Sequence, residues 1–200
     1  MKEMWDERYR SSEYQYGTEP NTFFRENLEN LKPGSLLLPA EGEGRNAVYA
    51  AKLGWEVLAF DLSSEGKKKA ERLAAENGVS FQYDLASYED FTNHGKLFDA
   101  IGLFFTHQAS VIRRPFHQRL VQILAPGGVL ILEGFHKDQL RYKTGGPSNP
   151  DFLFDEESLK KDFSGLHIDK LERVERELSE GRLHLGPSAV VQLVARNTMN

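Results

Sequence analysis

The sequence predicts an α/β fold: a seven-stranded, mostly parallel sheet with helices on both faces and a C-terminal antiparallel β-hairpin. Through the first two thirds of the chain, short apolar runs alternate with amphipathic segments, which is the pattern of right-handed βαβ crossovers. A glycine-rich loop follows the first buried strand of this pattern. The last two β-like runs are separated by only four residues, which is too short for a crossover and therefore indicates a hairpin.

The first 32 residues precede this alternation and are polar and aromatic. Two short helices are predicted there, over 4–10 and over 21–31, and the second has an apolar face. Trp5 and Tyr16 lie outside the alternating pattern, in a polar segment. We expect residues 1–32 to form a helical lid that closes over a ligand and excludes water.

Five strands and three helices alternate in the middle of the chain. Glycines follow the first two of these helices, and Pro126-Gly127-Gly128 makes a turn before the fifth strand. The predicted strands are 35–40, 56–62, 79–83, 98–106 and 129–135. The predicted helices are 45–53, 63–77 and 109–124.

The last third of the chain changes character. Residues 143–151 are rich in glycine and proline and are predicted as a loop. Asp155 is a candidate N-cap for a helix that ends at Phe163. The runs 166–178 and 183–196 then form the hairpin. Its first strand is expected to run parallel to the five preceding strands, so the hairpin turn faces the edge where their carboxyl ends lie.

The 200 residues suit a single domain, predicted over 1–200, and the composition excludes several functions. The net charge of −5 argues against a nucleic-acid or anionic-membrane partner. The absence of cysteine excludes disulfides, cysteine metal sites and a thiol nucleophile. No apolar run approaches a bilayer span, and the acidic N-terminus does not read as a secretory signal. We therefore expect a cytoplasmic protein with a small-molecule substrate, no metal, and an oligomeric state that the sequence leaves open.

The loop Glu41-Gly42-Glu43-Gly44-Arg45-Asn46 joins the first strand to a helix. Glycines allow a tight turn and a close approach of the backbone to a ligand, and the helix N-terminus offers free N–H groups. Asp61 stands nineteen residues after Gly42, at the end of the second strand, where a carboxylate can accept hydrogen bonds from ribose hydroxyls. The combination predicts a nucleoside-binding site.

The spacing Gly42-x-Gly44-x-x-Ala47 also fits a dinucleotide site, so a nicotinamide-dependent oxidoreductase is an alternative. Two features argue against it. The chain ends in a hairpin instead of a second mononucleotide-binding unit, and the charges of Glu41 and Glu43 would oppose a pyrophosphate in the loop. A ligand with a cationic end and no phosphate, such as S-adenosylmethionine, suits this loop better.

Over essentially its whole length the chain resembles class I S-adenosylmethionine-dependent methyltransferases, and within them the tellurite-resistance and thiopurine methyltransferase branch. The motifs that carry the resemblance are Trp5-Asp6-Glu7-Arg8-Tyr9, Tyr16-Gly17-Thr18-Glu19-Pro20-Asn21, Ala40 to Asn46, Ala125-Pro126-Gly127-Gly128 and Thr144-Gly145-Gly146-Pro147. The resemblance implies a Rossmann-like class I methyltransferase fold and S-adenosyl-L-methionine as cofactor. It also implies a small-molecule acceptor, for which the branch suggests thiols or chalcogen oxyanions.

The same resemblance implies the residues of the cofactor site. Glu41 would meet the ammonium of the methionine portion and Asp61 the ribose, while Asp84 and the Leu85 amide would contact the adenine. One of the adjacent rings of Phe104 and Phe105 would face the sulfonium. The full expected set is Trp5, Tyr16, Gly17, Ala40, Glu41, Gly42, Gly44, Arg45, Asn46, Asp61, Leu62, Asp84, Leu85 and Phe104.

Methyl transfer from a sulfonium needs chiefly orientation and exclusion of water, and a base only if the acceptor arrives protonated. His107 follows the fourth strand, and His184 follows the hairpin turn, so these two are the candidate bases. Arg182 and Gly146 are the candidates for acceptor binding. A non-catalytic domain that senses S-adenosylmethionine remains an alternative.

Overall fold

The computed structural model describes residues 1–142 and 144–199 and contains one seven-stranded sheet flanked by helices. The strands are β1 Ser35–Pro39, β2 Glu56–Asp61, β3 Gln82–Leu85, β4 Phe98–Phe104, β5 Leu124–Phe135, β6 His167–Glu180 and β7 His184–Arg196. The helices are α1 Lys2–Tyr9, α2 Thr22–Leu28, α3 Arg45–Lys52, α4 Ser64–Glu76, α5 Ser110–Ile123 and α6 Glu156–Asp162, with 3-10 helices at Lys137–Arg141 and Pro150–Phe152.

The strand order across the sheet is β3-β2-β1-β4-β5-β7-β6, and the predicted fold class is confirmed. Strands β1 to β5 are parallel, whereas β7 is antiparallel to both β5 and β6. Strand β6 therefore runs in the same direction as the first five strands. The turn between β6 and β7 consequently lies at the edge of the sheet where the carboxyl ends of β1 to β5 lie.

Both faces of the sheet are buried, because the strands are apolar at successive positions. In β1, Leu36 and Leu38 pack under α2, α3 and α4, and Leu37 packs on the other face with α5 and α6. Each such side chain contributes about 1.5–3 kcal/mol by leaving water. This two-sided packing fixes the strand ends that carry the polar residues described below.

Strand β3 differs from the prediction, which placed it at 79–83. The structure has it at Gln82–Leu85. The reason is that Val79 and Phe81 pack with Val48 of α3 and with the end of α4, and so close the helix layer instead of pairing with β2. Among the described residues, no helix has both the length and the apolar character needed to span a bilayer.

Candidate active site

The carboxyl ends of the parallel strands surround a cavity of about 690 Å³. The N-terminal segment covers one side of it, and the β6–β7 turn and the loop after β5 form another. Of the residues expected at the site, those lining the cavity are Trp5, Tyr16, Gly17, Ala40, Glu41, Arg45, Asn46, Asp61, Leu62, Phe104, His107, Gly146 and His184. One cavity thus contains candidates from the carboxyl ends of β1, β2 and β4, from the loop after β5, from the start of β7 and from the N-terminal segment.

Glu41 follows β1 and caps helix α3. Its Oε1 accepts hydrogen bonds from the backbone N–H groups of Asn46 and Ala47, both at 2.8 Å. The second oxygen, Oε2, has only a 3.5 Å contact with the Asn46 amide. Burial raises the pKa of Glu41 from 4.5 to about 7, although the cap bonds favour the ionised form. Oε2 is therefore the oxygen that can receive a cationic group.

Asp61 at the end of β2 is held by two backbone N–H groups. Its Oδ2 accepts from Gly42 at 3.1 Å and its Oδ1 from Ser63 at 2.9 Å. Burial raises its pKa from 3.8 to about 6, against the effect of these bonds. A rigid carboxylate that lines a cavity and keeps unused lone pairs can accept hydrogen bonds from a diol.

Glu43 does not present a free charge to the cavity, which corrects one premise of the sequence argument. It forms a buried ion pair with Lys69 at 2.5 Å, and its other oxygen accepts the backbone N–H groups of Gln15 and Tyr16 at 2.8 and 3.2 Å. Glu43 thus ties the N-terminal segment to α4. Of the two loop glutamates, Glu41 is the one left to meet a cationic ligand.

The glycines of the loop serve the packing of the loop rather than contact with a ligand. Gly42 and Gly44 have φ of 61° and 88° and do not line the cavity. A Cβ on Gly42 would lie 2.6 Å from the Tyr9 hydroxyl, and one on Gly44 would lie 2.5 Å from the Cβ of Ala70. The two positions therefore require glycine for left-handed backbone and for the close approach of α1 and α4.

Asp84 and Leu85 are not on the cavity wall, so their expected contact with the adenine is not supported. The Asp84 carboxylate accepts from the Gln82 amide, and the Leu85 side chain is 53% exposed. The cavity is lined instead by Ala86, Ser87 and Tyr88. This difference follows from the later end of β3.

The adjacent rings of Phe104 and Phe105, at the end of β4, lie in different surroundings, as the alternation of side chains along a strand predicted. Phe104 packs against Phe24 with centroids 5.0 Å apart, while also reaching the cavity. Phe105 has a left-handed backbone, φ 55°, and its ring contacts His184 at 4.2 Å and Phe135 at 4.8 Å. Phe105 is the ring that belongs to the aromatic end of the cavity, and strained residues of this kind are frequent at functional sites.

His107 is not available as a base. Its Nε2 accepts the backbone N–H of Phe135 at 3.0 Å, so the proton must be on Nδ1, which donates to the Phe152 carbonyl at 2.9 Å. Burial lowers its pKa from 6.5 to about 4. Both ring nitrogens are occupied, and His107 fixes the loop at Phe152 to the end of β5.

His184 at the start of β7 lines the aromatic end of the cavity. Its ring lies 4.6 Å from Tyr16, 4.2 Å from Phe105 and 5.3 Å from Phe135, measured between centroids. Burial lowers its pKa below the ordinary 6.5, so the imidazole is neutral near pH 7. Unlike His107, it is free to accept a proton.

Arg182 points away from the cavity, which corrects its predicted role in acceptor binding. Its side chain is 73% exposed and forms an ion pair with Glu13. The turn instead packs through its backbone against the backbone of Gln15. The Arg182 N–H donates to the Gln15 carbonyl at 2.9 Å, and a Cβ on Gly181 would lie 2.4 Å from that carbonyl oxygen. Gly146 does line the cavity, where a Cβ would lie 2.9 Å from the Phe135 ring.

Arg8 on α1 is a cavity residue that the sequence prediction did not include, although it lies within the motif Trp5 to Tyr9. Its guanidinium lies over the Trp5 ring at 4.6 Å and donates to the Tyr16 hydroxyl at 3.0 Å. No carboxylate of a described residue forms an ion pair with it. Arg8 is therefore a cation that faces the cavity and can hold an anionic group.

A buried network of charged and amide groups lies beneath His184. Asn21 donates to Glu133 at 2.8 Å and to Glu180 at 3.0 Å, and Arg45 donates to Glu180 at 2.7 Å. Arg176 completes the network with Glu133 at 2.9 Å. The sequence shows several charges on β6 but does not show which of them turn inward, so Glu180 was missed; Glu133 is a single carboxylate within the apolar strand β5, and its partners lie far away in the sequence.

The strand order, the closing hairpin and the cavity at the strand ends are those of the class I methyltransferase fold. Residues 39–128 match the family model described as "Methyltransferase domain". Uncharacterised proteins of Mycobacterium tuberculosis and Mycobacterium bovis are 32% identical to this chain over 107 residues, which are 50% of this chain and 37% of each relative. The chain thus covers well under half the length of these relatives.

Solved structures show the same fold across the chain. One described as the conversion of a disulfide bond into a thioacetal group during echinomycin biosynthesis has a TM-score of 0.81 at 18% identity, covering 100% of this chain and 93% of that one. TehB from Haemophilus influenzae gives 0.72 at 14% identity, covering 98% and 66%. The N-methyltransferase NodS from Bradyrhizobium japonicum, in complex with S-adenosylhomocysteine, gives 0.70 at 15%, covering 99% and 98%. The family model thus matches residues 39–128, and the solved structures share the fold of this chain.

Proposed function

We propose that this chain transfers a methyl group from S-adenosylmethionine to a small-molecule acceptor with a soft nucleophile, a thiol or a chalcogen oxyanion. One observation carries the proposal. A single cavity is lined by the carboxylates of Glu41 and Asp61, by the guanidinium of Arg8, and by rings from four parts of the chain, those of Tyr16, Phe105, Phe135 and His184. The charged groups suit a charged nucleoside, and the rings suit a soft, polarisable acceptor beside it.

The residues at the polar end fit the cofactor group by group. Asp61 would accept hydrogen bonds from the ribose hydroxyls, and Oε2 of Glu41 would accept a hydrogen bond from the ammonium. Arg8 would hold the carboxylate. When bound, the cofactor supplies a methyl group already activated on a sulfonium, so the protein must chiefly orient the acceptor and exclude water. Helix α1, which carries Trp5 and Arg8, is the part of the predicted lid that would close over the methionine portion.

The aromatic end supports a soft acceptor. Phe105, Phe135, Tyr16 and His184 offer ring faces and edges, and sulfur makes favourable contacts with aromatic rings. Gly146 packs closely against the Phe135 ring, where a Cβ would lie 2.9 Å away, and the two residues line the same cavity. The motifs shared with the tellurite-resistance and thiopurine methyltransferase branch, and the sulfur chemistry in the description of one structural neighbour, point the same way.

Two measurements test the proposal. In a thermal-shift comparison, S-adenosylmethionine or S-adenosylhomocysteine at one hundred times its dissociation constant should stabilise the protein by about 2.7 kcal/mol, and NAD should not. Transfer of labelled methyl to thiols, selenite and tellurite then identifies the acceptor. A shift with NAD alone would indicate an oxidoreductase, and cofactor binding without transfer to any acceptor would favour a sensor.

A further inference from the structure

We propose that Glu180 is a positioning residue, which holds the proton of His184 on Nδ1 so that Nε2 removes a proton from the acceptor. The inference rests on the proposed methyl transfer and narrows its acceptor to one that arrives protonated, a thiol. It assigns a role to the buried carboxylate at the end of β6, which the cofactor site does not use.

The geometry of the pair supports this role. His184 Nδ1 lies 3.9 Å from Glu180 Oε2, which is ion-pair distance but too long for a hydrogen bond. Nδ1 is buried and has no hydrogen-bond partner among the described residues, whereas Nε2 is open to the cavity. A displacement of about 1 Å would complete the bond. Among the described residues, Glu180 is the carboxylate within ion-pair distance of Nδ1, and a carboxylate oxygen, being an acceptor, favours the proton on Nδ1.

Glu180 is itself fixed in place. Arg45 donates to its Oε2 at 2.7 Å, Asn21 donates to its Oε1 at 3.0 Å, and Arg176 lies 3.7 Å away. These contacts hold the carboxylate in place beside His184 and keep it ionised. The titratable and charged groups around His184 are Glu180, Arg45, Arg8, His107 and the Tyr16 hydroxyl.

The chemical step balances with these groups. The acceptor thiol gives its proton to His184 Nε2, and the sulfur lone pair forms a bond to the methyl carbon. The bond from that carbon to the sulfonium breaks, and its electron pair stays on the cofactor sulfur, which becomes neutral. His184 becomes a cation, which Glu180 stabilises, and it later releases the proton to water. A fully ionised oxyanion would not need this pair.

The decisive measurement is the tautomer of His184 in the protein without cofactor. Long-range proton–nitrogen NMR spectra distinguish the protonated from the unprotonated ring nitrogen, and the signals absent from His184→Asn identify His184. We expect the Nδ1–H tautomer. An Nε2–H tautomer would overturn the proposal, whether or not the protein transfers methyl groups, and this measurement needs no variant of Glu180.

Glu180→Gln gives a second measurement. It should lower kcat with a thiol acceptor at least tenfold and move the acid limb of the pH–rate profile to lower pH, because removal of the anion makes the imidazole harder to protonate. Glu177→Gln, at an exposed position on the same strand, is the matched control and should change neither. Glu180→Asp retains the charge and should recover part of the rate.

These outcomes distinguish a failure of the proposed methyl transfer from a failure of the positioning role of Glu180. If the wild-type protein methylates no acceptor but His184 has the Nδ1–H tautomer, the proposed function fails and the pairing stands. If thiols are methylated and Glu180→Gln folds but keeps the wild-type rate and pH profile, the positioning role is refuted. Efficient methylation of selenite or tellurite with poor methylation of thiols would refute the acceptor class.

Discussion

The two glutamates of the glycine loop should respond to the same substitution in opposite directions. In Glu41→Gln, the amide oxygen can replace Oε1 and keep both cap bonds to α3, since Asn46 and Ala47 both donate to that one oxygen. The substitution removes a buried charge. We therefore expect the cofactor-free protein to become more stable at pH 8, while it binds S-adenosylmethionine more weakly.

The size of the effect follows from the pKa of Glu41. A pKa of about 7 in the folded state against 4.5 in the unfolded state means that the folded protein retains a proton that the unfolded chain loses. Stability is therefore lost as the pH rises from 4.5 to 7, by about 3 kcal/mol in full. Water in the cavity screens part of the charge, so we expect about 2 kcal/mol from Glu41→Gln at pH 8, or roughly 4–8 °C in Tm.

Glu43→Gln provides the comparison. It leaves the buried Lys69 without its carboxylate and should destabilise the protein by about 3 kcal/mol at the same pH. Urea unfolding of the three proteins at pH 5 and pH 8 measures both effects. At pH 5 Glu41 is already protonated, so the gain from Glu41→Gln should fall below about 1 kcal/mol. A destabilised Glu41→Gln at pH 8, or a gain that does not shrink at pH 5, would refute this account of the loop.

Three further predictions concern the cavity and the residues near it. Asp61→Asn should weaken S-adenosylmethionine binding at least about tenfold at pH 8 by calorimetry, through loss of charge-assisted bonds to the ribose, while Asp84→Asn should leave it unchanged. His184→Asn should lower kcat with a thiol acceptor about a hundredfold, whereas Arg182→Ala should stay within twofold in the same assay. Because the pKa of His107 lies near 4, its own contribution to folding stability should fall by about 2 kcal/mol between pH 7.5 and 5, and on lowering the pH over that range His107→Gln should lose about that much less stability than the wild type in chemical denaturation. Equal binding by the two aspartate variants, equal rates in the second pair, or an unchanged loss in His107→Gln would each contradict the corresponding assignment.

The sequence predicted the fold well because the fold depends on signals that are local. Apolar runs, helix-ending glycines and the short hairpin connection each involve only a few neighbouring residues. Strands that are buried on both faces appear in the sequence as continuous apolar runs. Two strands differ from the prediction: β5 begins at Leu124 instead of 129, and β3 is displaced because Val79 and Phe81 have the same apolar character as strand residues but pack against helices α3 and α4. Composition alone cannot distinguish these two kinds of burial.

The site was predictable where a residue directly follows a strand and less so elsewhere. Glu41 and Asp61 reach the cavity because the direction of β1 and β2 carries them there. Arg182 was misplaced because side-chain direction in a turn does not follow strand alternation, and Glu13 holds it in solvent. Glu180 was missed because its inward orientation depends on partners in α3 and in the segment before α2, which no local pattern reports.

The packing of Gly181 against the backbone of Gln15 has a consequence for the order in which the molecule forms. The glycine loop and Asp61 lie in the first third of the chain and can pair early during synthesis. The wall that carries His184 and Glu180 needs residues from near both ends of the sequence, and contacts of such long separation form late. A nascent chain would therefore have a nucleoside-binding half before it has an acceptor pocket, and the two could not work together until the hairpin docks.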